Sequence, residues 1–271
     1  MSNTAIRVLV SLFAIPAIVL LSFFGQVYFL CFVMFISGIS FYEFAVMSKS
    51  KGANLNVNLG LLAVVVLIIN QYIFLISSFS ILTIFLLVIL IVELFRNNGS
   101  AIQNLESTLL GILYFGIFGG SLVAIREIYP RIDVLYNQGG FLIISILAAI
   151  WICDSAAFFG GTALGKHKLF PRVSPKKTWE GAIFGFVFAI LAMILAKNLV
   201  LDFLSLKDAL VIGFIIGTFG QIGDLVESLI KRDAGVKDSS NLIPGHGGIF
   251  DRFDSLLFSS PIIYLYLTQL A

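Results

Sequence analysis

The chain has 271 residues, of which 59% are hydrophobic and 12% charged, with a net charge of +2 and a mean hydropathy of +1.04. Soluble domains run about 45–50% apolar and about 25% charged, so a single water-soluble core is excluded. So small a net charge offers no handle for nucleic acid. Both cysteines, Cys31 and Cys153, lie in apolar runs, where thiols act as small hydrophobes rather than as a disulfide framework or a metal site.

Nine stretches approach the roughly 20 apolar residues that cross a bilayer as helix. They are 5–24, 26–47, 58–77, 79–95, 104–128, 140–162, 178–200, 208–230 and 254–270. The predicted fold class is an all-α polytopic membrane protein forming one integral membrane domain. The first stretch follows Arg7 without a small-residue cleavage site, so it reads as a retained span rather than a signal peptide. Only Ser77, Ser78 and Ser80 separate the third stretch from the fourth. Pro16 and Pro261 fall inside spans, where a kink is tolerated. Gly116 with Gly120, Gly181 with Gly185 and Gly213 with Gly217 repeat at four residues, a spacing that predicts close helix–helix contact.

The bases set the orientation. With the amino terminus cytoplasmic, inside segments hold 13 of the 17 lysines and arginines, and outside segments hold Arg126, Arg131, Lys197 and Lys207. Positive charge favours the inside, so the carboxyl terminus is expected outside. The two basic loops, 163–177 and 231–253, then face the cytoplasm.

Charge concentrates at the end of the eighth stretch. Gln221, Asp224, Glu227, Ser228 and Lys231 are three or four residues apart and share one helix face. Carboxylates near water on such a face suit a hard cation such as Mg²⁺; the alternative for Glu227 is an ion pair with Lys231. Between Lys231 and Arg252 the next loop packs three acids, four bases, His246 and four glycines. That density of charge beside lipid is costly and marks function. Pro244, Gly245, Gly247 and Gly248 let the backbone turn sharply and approach a phosphate, with Lys231, Arg232, Lys237, His246 and Arg252 as donors. Two alternatives are structural: Asp254 as an N-cap of the ninth helix, and His246 as a loop histidine bonded to backbone.

A second group lies upstream. Asp154 sits well inside the sixth stretch, at a cost of about 2.5–3.5 kcal/mol if uncompensated. Ser174, Pro175, Lys176, Lys177 and Thr178 then lead into the seventh helix, where amides and dipole favour anions. Lys166 and Lys168 read equally well as headgroup anchors.

From Ser228 to Asp254 the chain closely resembles the signature of the phosphatidate cytidylyltransferase family, also called CDP-diacylglycerol synthases. The matching positions are Ser228, Lys231, Arg232, Lys237, Asp238, His246, Gly247, Gly248, Asp251, Arg252 and Asp254, and none is missing. The run Ser174 to Thr178 is similar to a second block of that family. This resemblance implies transfer of a cytidylyl group from CTP to phosphatidate, giving CDP-diacylglycerol and pyrophosphate. It places Mg²⁺ on Asp224 and Asp251, with Asp254 or Asp154 in reserve. It gives catalytic roles to Lys231, Arg252 and His246 as well. Substrate binding falls to Ser174, Lys176, Lys177, Asp154, Arg232, Lys237, Gly247 and Gly248. A second cation and a homodimer are compatible with it, and it implies the inner (plasma) membrane with the active site facing the cytoplasm. The chain departs from the family where Phe184-Gly185 replaces paired glycines, and where Phe158-Phe159 occupies a stretch that commonly carries a tyrosine. Two other readings stay open: a related CTP-using enzyme acting on an isoprenoid alcohol or ether lipid, and an ion or anion transporter. A transporter would typically show inverted repeats and helices broken at the midplane.

Overall fold

The computed structural model describes residues 3–131, 135–243, 245 and 247–270, the side chains of residues 3–7 excepted. Pro244, His246 and the side chain of Arg7 therefore lie outside the described residues. Helices occupy all nine apolar stretches: α1 (Asn3–Phe24), α2 (Gln26–Lys49), α3 (Val57–Ile73), α4 (Ser78–Phe95), α5 (Ala101–Gly111) continued by α6 (Phe118–Arg126), α7 (Tyr136–Leu164), α8 (Trp179–Leu199), α9 (Leu206–Ile215) continued by α10 (Gln221–Asp233), and α11 (Phe250–Gln269). Among the described residues, six helical segments are long and apolar enough to cross a membrane, and the apolar parts of α1 and α3 are shorter.

Three local features depart from a simple set of rods. The third stretch ends early, because Phe74 takes a left-handed conformation at φ 51°. Asn70 then holds the turn, donating to Ile76 O at 2.8 Å and accepting from Ile76 N at 3.2 Å, and Ser77 caps α4. Two joints, Ile112–Ile117 and Ile216–Gly220, are π-helical, a wider winding often found near functional sites. The basic segment before α8 is an antiparallel hairpin of β1 (Lys168–Phe170) and β2 (Ser174–Thr178), which the all-α expectation did not contain.

Close contacts gather the chain into two compact units. The first holds the residues up to Leu21, Gly25–Ala124 and Ile230–Phe253. Its core is aromatic: Phe115 lies 6.3 Å from Phe41 and 5.0 Å from Phe250, centroid to centroid. Gly60 and Gly111 both lie against the Phe41 ring, and a Cβ at either would overlap it.

The second unit holds Ser22–Phe24, Ile125–Leu229 and the residues from Asp254 on. Here α8 packs between α7 and α9. The glycine pairs act as their spacing predicts: Gly181 and Gly185 lie on the α7 backbone, and Gly213 and Gly217 on that of α8. Arg126, counted above among outside loop bases, is fully buried in this unit. Its guanidinium donates to Ser22 O at 2.6 Å, Phe23 O at 2.7 Å and Tyr136 O at 3.2 Å, and stacks 4.4 Å from the Tyr136 ring. It thereby satisfies the last carbonyls of α1, which a buried helix end otherwise leaves orphaned.

Arg126→Met keeps the bulk and removes every donor. A buried acceptor left unsatisfied costs about 1–3 kcal/mol, so this variant is expected to show a clearly lower thermal midpoint in detergent, only partly restored by Arg126→Lys. An unchanged midpoint would remove the clamp role.

Candidate active site

Within the first unit the charged loop is organised by two buried acids. Asp251, in the first turn of α11, accepts from Lys231 Nζ at 2.5 Å through one oxygen. Its other oxygen accepts Gly248 N at 2.7 Å and Ser239 N at 2.9 Å. Lys231 is only 8% exposed, so this is a buried pair, and breaking such a pair by removing one partner is strongly destabilising. The second acid is Glu43, at 3% exposure in the C-terminal third of α2. It accepts Ile249 N at 3.0 Å and Phe250 N at 2.9 Å, capping α11 from another helix. Glu43 also accepts the hydroxyls of Ser240 at 2.5 Å and Ser239 at 2.8 Å. Ser239 Oγ lies 2.9 Å from Asp251 as well. Because that Asp251 oxygen already holds two amides, the single hydroxyl proton belongs on Glu43.

The glycines of the loop have steric work here. Gly247 sits at φ 83°, and a Cβ on it would overlap the Asp251 carboxylate. One on Gly248 would overlap Ser239 Oγ and Glu43. Arg232, Lys237 and Arg252 are exposed, Arg232 donating to Val236 O at 2.9 Å. The loop is thus built on neutralised, buried charge and presents the remaining bases outward.

Within the second unit a different set of acids converges. One carboxylate oxygen each from Asp224, Glu227 and Asp254 lies within 4.8 Å of the others. Glu227 is 1% and Asp254 8% exposed. Asp224 and Glu227 come from neighbouring turns of α10, as their spacing predicts. Asp254 follows the start of α11 by a full turn, so it is not the N-cap, and it accepts Ser255 N at 2.7 Å. The other charges acting on Asp254 are those of Asp224, Asp154 and Lys177.

Lys177 reaches Asp224 because the hairpin bulges. Lys168 pairs with Thr178 and Phe170 with Ser174, so a step of two residues on β1 faces a step of four on β2. Pro175, with no N–H to give, sits in the surplus. Such a bulge re-aims side chains: Lys177 turns inward to an ion pair with Asp224, while Lys176 stays exposed. Thr178 then caps α8, accepting from Gly181 N at 3.2 Å. Ser174 is half-buried, and Asp154 is exposed on the flank of α7.

Asp224 and Asp251, expected to share a metal, thus fall in different units, and each has its own partners. His246 lies outside the described residues. Sequence reasoning missed Glu43, although its signal was present: an acid in the apolar run Phe41-Tyr42-Glu43-Phe44-Ala45 needs a partner as much as Asp154 does.

The model of the cytidylyltransferase family matches residues 5–270. A phosphatidate cytidylyltransferase of Bacillus subtilis is 35% identical over 269 residues, covering 96% of this chain and 96% of its own length. That of Staphylococcus saprophyticus is 35% identical over 201 residues, 67% of this chain and 77% of its own. A third, from Staphylococcus aureus strain COL, is 44% identical over 134 residues, 49% of this chain and 51% of its own.

Removing the Glu43 charge is expected to free the start of α11. In Glu43→Gln, hydrogen exchange at Ile249 and Phe250 should quicken by about tenfold or more, since a lost charged acceptor costs about 1.5–3 kcal/mol. Gly248→Ala, which pushes on the same carboxylate, should do the same. Native protection in both variants would show that the cap is dispensable.

Proposed function

Because the chain belongs to the cytidylyltransferase family, we propose that it transfers the cytidylyl group of CTP to phosphatidate, giving CDP-diacylglycerol and pyrophosphate. The observation that carries the mechanism is the acid group of Asp224, Glu227 and Asp254 beside Lys177. In the reaction a phosphate oxygen of phosphatidate attacks the α-phosphorus of CTP. A new P–O bond forms there, the bond to the β-phosphate oxygen breaks, and pyrophosphate leaves. Both reactants are anions, so the protein's main tasks are positioning and charge neutralisation.

The donor set fits Mg²⁺, which takes oxygen ligands and keeps part of its water. Three carboxylates gathered with one lysine leave a local excess of negative charge that a divalent cation offsets. We assign the metal to Asp224, Glu227 and Asp254, with Asp154 near them. When bound, the cation neutralises phosphate charge and lowers the repulsion between the substrates. Asp251 takes the separate task of holding Lys231 and the loop amides. Arg232 near the end of α10, Lys237 between the helices and Arg252 in the first turn of α11, all exposed, bind phosphate oxygens. Lys177 gives Asp224 a counter-charge and is a donor to the incoming phosphate, and Ser174 and Lys176 lie on the same strand.

The chain is an integral membrane protein. We place it in the plasma membrane with nine crossings, the amino terminus and both basic segments cytoplasmic, where CTP is supplied. Single cysteines in 163–177 and 231–243 are expected to react with impermeant reagent only from the cytoplasmic side. Labelling of the two segments from opposite faces would overturn the assignment.

Incorporation of labelled CTP into chloroform-soluble product, by purified protein with and without phosphatidate, tests the reaction itself. Asp224→Asn and Asp254→Asn should each lose at least about a hundredfold in rate, a barrier increase of about 2.7 kcal/mol, while purifying normally. Their double mutant should lose little more, because residues acting as a unit are grossly non-additive. Chelation should abolish activity, and Mg²⁺ should restore it. A folded Asp224→Asn protein with near-native rate sinks the metal assignment.

A further inference from the structure

A groove of about 480 Å³ runs between α7 and α8. Its floor is α7, where Ser155, Ala156, Gly160 and Ala163 are all small. Its wall is α8, where the rings of Phe184 and Phe188 stack at 6.5 Å with only 12° between their planes. The floor is low because of its glycine: a Cβ on Gly160 would overlap the Phe184 ring. The ring of Phe184 therefore sets the width of this groove.

Position says what fills the groove. Ser155 to Ala163 spans about 12 Å along a helix, most of the roughly 15 Å depth of one bilayer leaflet. One end lies beside Asp154, the residue before Ser155. The other end meets the hairpin, since Gly165, just after α7, lies against Thr178, the cap of α8. Lys176 and Lys177 immediately precede that cap, and Phe184 lies about 9 Å further along the helix. A phosphate on the lysines would therefore have its hydrocarbon directly over the groove. That is the layout of a phospholipid lying along its own leaflet: charge at the hairpin, a chain along α7 and α8.

We propose that this groove holds one acyl chain of the phosphatidate substrate and that Phe184 selects which chains it accepts. The inference rests on the cytidylyl-transfer reading for the identity of the lipid. It differs from ordinary lipid contact in demanding the anionic phosphomonoester headgroup.

The test uses the full-length protein in phosphatidylcholine vesicles, with phosphatidate carrying a photoreactive diazirine midway along one chain. Cross-links are expected on 155–163 and 184–188. Unlabelled phosphatidate should suppress them, and added phosphatidylcholine with the same chains should not. Labelling elsewhere, or equal suppression by both lipids, overturns the proposal.

Kinetics supply the second arm. Ala156→Leu should raise KM for long-chain phosphatidate by about tenfold, the scale of a small steric change in an apolar pocket, with KM for CTP within about twofold. Phe184→Ala should flatten the dependence of kcat/KM on chain length. An unaltered chain-length profile in a folded Phe184→Ala protein refutes its selector role. If the wild type makes no CDP-diacylglycerol, the functional reading fails while cross-linking still reports on the groove. If it does and the cross-links miss the groove, only this inference fails.

Discussion

An ionised group inside an apolar protein must meet its counter-charge or its hydrogen bonds locally, and this requirement shapes every functional part of the molecule. Its clearest case is Glu43, which faces no base in the described contacts and is instead held by two backbone amides and two hydroxyls. The free amides of a helix start prefer an anion. The same bonds fix where α11 begins. Since Asp251 lies in that first turn and Lys231 is tied to Asp251, a residue of α2 sets the geometry of a loop about 200 positions away along the chain. Arg232, Lys237 and Arg252 are left exposed around this framework.

The second unit meets the same requirement differently. Asp224 has Lys177, yet Glu227 and Asp254 stand close by, with Asp154 adding its field. Four acids against one lysine is an arrangement poised to take up a cation, whereas the loop of the first unit is already neutralised within itself. The two acid groups thus differ in kind. One is a finished scaffold, and the other is a group of acids that could hold a cation. The bulge at Pro175 matters for that reason, because it gives the acid group one counter-charge while Lys176 remains outside.

The helices were legible because hydropathy over 18 or more residues is a strong signal. The turn after α3 was not: Phe74 in a left-handed conformation is unusual for a bulky residue, and the bonds from Asn70 that stabilise it lie within an apolar run. The hairpin was hidden for another reason. Its strands are three and five residues long, contain Pro175 and carry three lysines, so by composition they read as a basic loop. At the site, periodicity placed Asp224 and Glu227 on one face. Partners distant in sequence leave no such trace, so the contact of Lys231 with Asp251 could not be read from spacing. Glu43 was legible only as an expense, an acid where none should be, without any hint of what it serves.

The glycines of the signature also have a task inside the fold. Gly247 and Gly248 precede the start of a helix among basic residues, the pattern of a phosphate cradle. In the fold both positions are needed for a different anion, because any side chain would strike the carboxylate of Asp251 or Glu43. The two readings share one physical cause. A turn whose amides point inward at close range needs glycine whether the oxygen it meets belongs to a substrate or to the protein. Here the amide of Gly248 is spent on Asp251, at 2.7 Å. The glycines thus let the two carboxylates in close to the turn.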